Sequence, residues 1–173
     1  MNLLHELPAI DMTDNDTGCC PRFHPEAWDR KTFEFDDLMF AKTRARNFMH
    51  MPLNYTKMMT RSQQYIDNAG GKDPDRYFIL TQDESNWHSN HYFEVTKNVP
   101  EMEMVKLKGH YMSKVYEGDY KEIPRMMNEF TRYLEEEDES LDMKDFYIFY
   151  TTCPKCAEHY GHNYMVFFSK ITK

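Results

Sequence analysis

The sequence predicts an α+β fold: duplicated β-α-β-β units around a pseudo-twofold axis, with antiparallel sheets and two main helices. Three observations predict it. First, Tyr77 to Val99 and Phe146 to Ile171 share one plan, an aromatic, β-branched run, a polar loop and a second such run. Runs of this kind, bounded by Pro and Gly, read as strands. Asn90-His-Tyr-Phe-Glu-Val-Thr-Lys97 also aligns with His162-Asn-Tyr-Met-Val-Phe-Phe-Ser-Lys170. Second, a stretch with apolar residues at helical spacing precedes each of these pairs. Third, an alternating stretch precedes each helix, as a half-exposed strand requires.

Residues 1 to about 18 are polar and acidic and read as a loose leader. Gly18-Cys19-Cys20-Pro21 through Pro25 resists regular structure. Phe23, Trp28, Phe33 and Phe35 are too apolar for a free tail, so they are expected to lie across the domain surface as an ordered extension. The extension is read as 1–38 and the domain as 39–173, with a first unit at 39–99 and a second at 100–173.

Phe40 to Met51 alternates, with Lys42, Arg44 and Arg46 opposed to Ala41, Thr43 and Ala45. Asn54 is the expected N-cap of a helix over Tyr55 to Ala69, carrying Met58, Met59, Tyr65 and Ile66. Gly70-Gly71 stops it. Strands are expected near Arg76–Thr81 and Asn90–Lys97. Met104 to Tyr116 alternates again, with Gly109 at a bend. Asp119 and Glu122 fit a capping box, with Pro124 in the first helical turn. Ile123, Met127, Phe130 and Leu134 form the stripe of the second helix. The acidic run Glu135 to Glu139 opposes the macrodipole and is expected to fray. Tyr55 then matches Tyr120, Tyr92 matches Tyr164, and Glu94 matches Val166.

The chain has 173 residues, a net charge of −8 and 15% aromatic residues. That is enough for a real core and too aromatic for disorder. A negative chain with no clustered basic face argues against nucleic-acid binding. No apolar run approaches the ~18 residues of a membrane span, and the N-terminus lacks the features of a signal peptide. The expectation is a cytoplasmic protein with no membrane partner, monomeric or homodimeric.

Each unit exposes an apolar sheet face that a partner must bury, and a groove on the pseudo-twofold axis is the natural ligand site. Parity in Tyr92-Phe93-Glu94-Val95-Thr96 puts Phe93 and Val95 on the helices and Glu94 toward that groove. Desolvation there would raise its pKa toward the general-base range. Glu117, at the helix-entry box, is the second candidate catalytic carboxylate. Trp87, Tyr92, Tyr111 and Tyr164 are candidate ligand-binding residues beside them. Each has a plainer reading: exposed sheet-face acids, a helix-start acid, a loop contact and core packing.

Cys153-Pro-Lys-Cys156 sits between two strands. A redox Cys-x-x-Cys usually opens a helix, whereas strand-loop knuckles are typical of zinc ribbons. Cys19 and Cys20 could complete a four-thiolate site, with His24, His159 or His162 as a substitute for one thiol. Zinc, free or reversibly oxidised thiols and inert packing all remain open. No cofactor is required by any motif, and zinc is the one candidate. Convergence of the two cysteine pairs is expected, because the extension must be anchored somewhere.

Glu117-Gly118-Asp119-Tyr120 resembles the Gly-Pro-Tyr box of the GyrI-like superfamily, with Asp119 where Pro is usual. The resemblance covers about Phe40 to Ile171. Gly18 to Phe23, Phe48 to Asn54 and Tyr150 to Cys156 through Tyr160-Gly161 further resemble a bacterial group of stand-alone GyrI-like proteins, some known only by the label hydrolase. The resemblance implies a small-molecule partner, flat and aromatic or cationic, bound in an aromatic groove with a buried Glu. It also implies kinship to the effector-binding domains of multidrug-sensing regulators. Some stand-alone members are similar to hydrolases that open cyclopropane rings of DNA-alkylating compounds.

Overall fold

The computed structural model describes residues 2–49 and 51–173. The chain divides into two compact units. One is Asp37–Lys108; the other joins the chain up to Asp36 with Gly109–Lys173. In chain order the elements are β1 (Leu3–Leu4), β2 (Lys31–Phe48), β3 (Met51–Pro52), α1 (Tyr55–Ala69), β4 (Ile79–Ser85), β5 (His88–Glu94) and β6 (Glu103–Glu117). After these come α2 (Ile123–Glu136), β7 (Phe146–Tyr150), α3 (Pro154–Tyr160) and β8 (Tyr164–Lys170). The Asp37–Lys108 unit therefore carries β-α-β-β order, and the other follows the same order with α3 inserted between its last two strands, both with antiparallel pairing of those strands, the α+β architecture that the internal repeat predicts.

In the Asp37–Lys108 unit, β5 pairs antiparallel with both β2 and β4. Ala41, Ala45, Phe93, Val95, Met58 and Ile66 form its core. The parity expected for β5 holds: Phe93 and Val95 pack against α1. Helix α1 ends at Gly70 in the left-handed conformation, as expected. Asn54 differs from expectation, because its side chain makes no capping bond. Only its carbonyl serves, accepting from the Met58 N–H at 3.0 Å.

In the other unit, β8 pairs antiparallel with β6 and β7. Met112, Tyr116, Phe130, Leu134, Phe146 and Phe167 anchor the core under α2. The capping box at Asp119 and Glu122 is present, with the Asp119 N–H donating to Glu122 at 2.8 Å. Gly118 holds a backbone conformation that side chains with a Cβ rarely adopt. A Cβ there would come within 2.2 Å of Glu122 Oε2 and 2.9 Å of Met126 Cε, at a φ of +154°.

Three expectations are corrected. Phe23, Trp28, Phe33 and Phe35 do not lie across the surface; all four are buried. β2 starts at Lys31, and Trp28 packs on Phe33, Phe149 and Phe168. Aromatic burial contributes ~1.5–3 kcal/mol per side chain toward offsetting the cost of ordering the segment. Second, the acidic run does not simply fray. Glu139 is buried and accepts from the Thr172 N–H and hydroxyl, tying α2's end to the C-terminal strand's exit. Third, Cys153-Pro-Lys-Cys156 is not a strand-loop knuckle. Cys153 is the N-cap of α3, Pro154 opens the helix and Gly161 closes it at φ +74°. Pro at the first turn and Gly after the last are the usual helix bounds, and here they impose a helix on a segment between two strands.

Candidate functional site

The fold brings all four thiols together. The sulfurs of Cys19, Cys20, Cys153 and Cys156 lie within 4.8 Å of one another. All four are free thiols. The Cys19 and Cys20 sulfurs are 3.8 Å apart, against ~2.05 Å for a disulfide. Such a set can hold a metal ion, so the expected convergence of the two pairs is met.

Local structure explains the convergence. The Thr17 hydroxyl accepts from the Cys19 and Cys20 N–H groups at 3.2 and 3.3 Å, folding the Thr17–Cys20 turn. The Cys153 N–H points at the Cys20 sulfur at 3.4 Å, and the Cys156 thiol meets the Thr17 hydroxyl at 3.3 Å. Tyr160 donates to the Cys20 carbonyl at 2.7 Å, while Arg22 stacks over the Tyr160 ring. Burial pushes the Cys20 thiol well up. Burial also acts to raise Cys156, but hydrogen bonds with Thr17, Cys153 and Cys20 outweigh it, and that thiol falls to about 7.

Beside the thiols lies a cavity of about 190 Å³, lined by Arg22, Phe23, Glu26, Thr152, Tyr160, His162 and Tyr164 among others. Antiparallel pairing sets Glu117 of β6 opposite Tyr164 of β8. His162, two residues before Tyr164, swings onto Glu117: Nδ1 is 2.6 Å from Glu117 Oε1. The His162 and Tyr164 rings stack at 5.3 Å. Burial raises the Tyr164 phenol, with Glu117 and Glu26 adding to it. Thr152, buried in the cavity wall, has a hydroxyl with no hydrogen-bond partner.

Glu94 ends β5 with a side chain only 5% exposed. The Arg76 guanidinium donates to both of its oxygens, from Nε at 2.7 Å and from Nη2. Burial raises the Glu94 pKa, and Arg76 pulls it back only in part. The space beside the pair is about 20 Å³, room for roughly one water. Tyr92 is buried and donates to Gln82 at 3.1 Å, with Lys42 over its ring. Trp87 is exposed and packs edge-on against Phe48. Tyr111 is buried, stacked on Phe35 at 4.3 Å.

Of the residues singled out in the sequence, the structure joins the four cysteines and joins Glu117 to Tyr164. Glu94 and Tyr92 belong to the other unit, each with its own local partner. Arg76 as the partner of Glu94, Thr17 as the hub of the thiol turn and His162 as the partner of Glu117 were not legible. The last was the nearest to hand: pairing the strand ending at Tyr116 with the strand from Tyr164 places His162 beside Glu117.

Several solved structures share the fold. A hydrolase from Listeria innocua matches at TM-score 0.61 with 10% identity, covering 83% of this chain and 92% of its own. The EcmrR C-terminal domain matches at TM-score 0.63 with 12% identity, covering 84% and 98%. SAV2435, solved bound to tetraphenylphosphonium, matches at TM-score 0.53 with 13% identity, covering 83% and 94%. At such identities the likeness is one of fold alone. Among curated proteins none matches. No helix among the described residues is long and apolar enough to cross a membrane. The family model described as bacterial hydrolase matches residues 10–171, nearly the whole sequence, and the chain belongs to that family.

Proposed function

We propose that this protein is a cytoplasmic small-molecule binder that hydrolyses flat aromatic or electrophilic compounds, cyclopropane-bearing ones included. The observation that carries the reading is the Glu117–His162 contact at the edge of the cavity. A carboxylate on Nδ1 orients an imidazole and leaves Nε2 as the lone-pair nitrogen. In that state His162 takes a proton from a water as the water oxygen bonds to the electrophilic carbon. The bond to the leaving atom breaks with its electron pair on that atom, and the proton returns there. Tyr164, Phe23 and Tyr160 supply aromatic walls for a flat ligand. Glu94 is the second carboxylate of the proposal. It would have to exchange Arg76 for a ligand cation, so the reading leans on Glu117.

The test uses tetraphenylphosphonium, the aryl cation carried by one structural neighbour, with triphenylphosphine oxide as a neutral control. A rise in melting temperature with either probe that is diminished in Glu117→Gln and His162→Gln supports the site. Absence of any shift, or shifts unchanged in both variants, sinks it.

A second reading is favoured by the thiol cluster: a zinc-binding or thiol-redox protein, structural or regulatory, centred on the two cysteine pairs. Metal content of protein purified under reducing conditions separates the two chemistries.

A further inference from the structure

The cavity and the thiol cluster are built from the same two pieces of chain. Thr17, Cys19 and Cys20 lead directly into Arg22, Phe23 and Glu26 of one cavity wall. Thr152, Tyr160, His162 and Tyr164 of the other wall bracket Cys153 and Cys156. Around the sulfurs, hydrogen bonds between the pieces include the Tyr160 hydroxyl to the Cys20 carbonyl, the Cys153 N–H to the Cys20 sulfur, the Cys156 thiol to Thr17, and contacts of the Cys156 thiol with Cys20. All of these but the first involve sulfur, a weak partner.

We propose that the four cysteines bind one Zn²⁺ as a tetrahedral thiolate staple that holds the Thr17–Glu26 segment against α3 and thereby builds the cavity. This rests on the zinc form of the second reading above.

The geometry favours an ion over a disulfide or plain packing. Four sulfurs at ~2.3 Å from a tetrahedral zinc stand ~3.8 Å apart along each edge. The adjacent pair is already at 3.8 Å, and every pair lies within 4.8 Å. Closing onto the ion needs movements below about 1 Å. The adjacency of Cys19 and Cys20 is therefore no obstacle, because the Thr17 turn brings both sulfurs within 4.8 Å of those of Cys153 and Cys156. An all-sulfur tetrahedral set selects a borderline-soft d¹⁰ ion and rejects Mg²⁺ and Ca²⁺, which take oxygen. Binding converts four thiols and Zn²⁺ into a tetrathiolate complex and releases up to four protons, without oxidant or reductant. The Cys153 N–H toward Cys20 supplies the kind of N–H···S bond that offsets the resulting negative charge. Without the ion the two walls lose four strong anchors, and the segment from Thr17 to Glu26 is left with Phe23 packing on Phe149 and Tyr164, the Arg22 stack on Tyr160 and the weak hydrogen bonds above.

The experiment takes the full chain, purified reduced and without added metal. Zinc is counted, then removed with a chelator under reductant, then restored. Co²⁺ is loaded in parallel for its tetrahedral thiolate spectrum. Backbone hydrogen exchange is followed in residues 17–26 and 152–164, with β5 of the other unit as the internal control. The expected result is one zinc per chain, a tetrahedral Co²⁺ spectrum lost in Cys156→Ser, and at least tenfold faster exchange in both segments after chelation. Zinc restores the slow exchange and β5 does not change. Absence of zinc together with absence of a tetrahedral Co²⁺ spectrum overturns the zinc reading itself. Stoichiometric zinc with unchanged exchange on chelation leaves that reading standing and overturns the staple. Faster exchange everywhere, β5 included, also overturns it, because the ion would then hold the whole chain and not the cavity walls.

Discussion

Arg76 meets both carboxylate oxygens of Glu94 in the interior of one unit, with the arginine side chain 17% exposed and the glutamate 5% exposed. A two-point guanidinium–carboxylate contact is directional as well as ionic. It satisfies a carboxylate whose burial would otherwise be costly. Removing one member of such a pair leaves the other buried and uncompensated. Glu94→Gln is therefore expected to lower stability by about 1–3 kcal/mol, the scale of hydrogen bonds to charged groups. Urea unfolding checks it; an unchanged midpoint would mean that the pair contributes nothing net.

The Glu117–His162 pair predicts the opposite pattern. Both side chains are about half exposed, where an ion pair is worth ~0–1 kcal/mol. Glu117→Gln should leave the unfolding midpoint nearly unchanged. On a substrate that the protein turns over, the same variant and His162→Gln should each lose roughly 10²–10⁴ in rate. A rate loss matched by an equal loss of folded protein would argue for a structural role instead.

Stability should fall in mild acid because of His91. Burial drives its pKa from 6.5 down to about 4, and it sits among Ser89, Thr81 and the Tyr55 ring. A folded pKa below the unfolded one means that the unfolded chain binds the proton first. Stability is then lost as pH drops from about 6.5 toward 4, by up to ~3 kcal/mol. Unfolding midpoints measured between pH 7.5 and 5 should decline, and His91→Gln should flatten that decline. A slope unaltered in the variant would assign the effect to other groups.

Gly118→Ala is expected to cost about 1–3 kcal/mol, the range for an overpacked site. The new methyl would strike Glu122 Oε2, and Met126 behind it. Glu122 must then leave the Asp119 N–H, which breaks the capping box at the start of α2. Thermal unfolding measures the loss. Rescue by Glu122→Ala in the double variant would locate the clash.

The sequence by itself determined the parts whose physics is local. Period-2 and period-3.6 patterns, Gly70, and the Asp119–Glu122 box placed α1, α2 and the paired strands, because those signals arise within a few residues of chain. The duplication was legible for the same reason: two stretches with the same local requirements look alike. In β5 the alternation of neighbouring residues was enough to put Phe93 and Val95 on the helix side. Tertiary structure decided what depends on groups far apart in sequence. The aromatic residues before β2 became core because Phe149 and Phe168, more than a hundred residues away, offer them a dry surface. Cys153 and Cys156 on α3 acquired Cys19 and Cys20, more than a hundred and thirty residues away, although the Pro154 and Gly161 that bound α3 were themselves local signals. Glu94 acquired Arg76 and Glu117 acquired His162 across 18 and 45 residues. Side-chain chemistry can name a carboxylate as interesting. Only the packed fold sets its partner, because a charge taken from water is met by whatever donor the packing brings within reach.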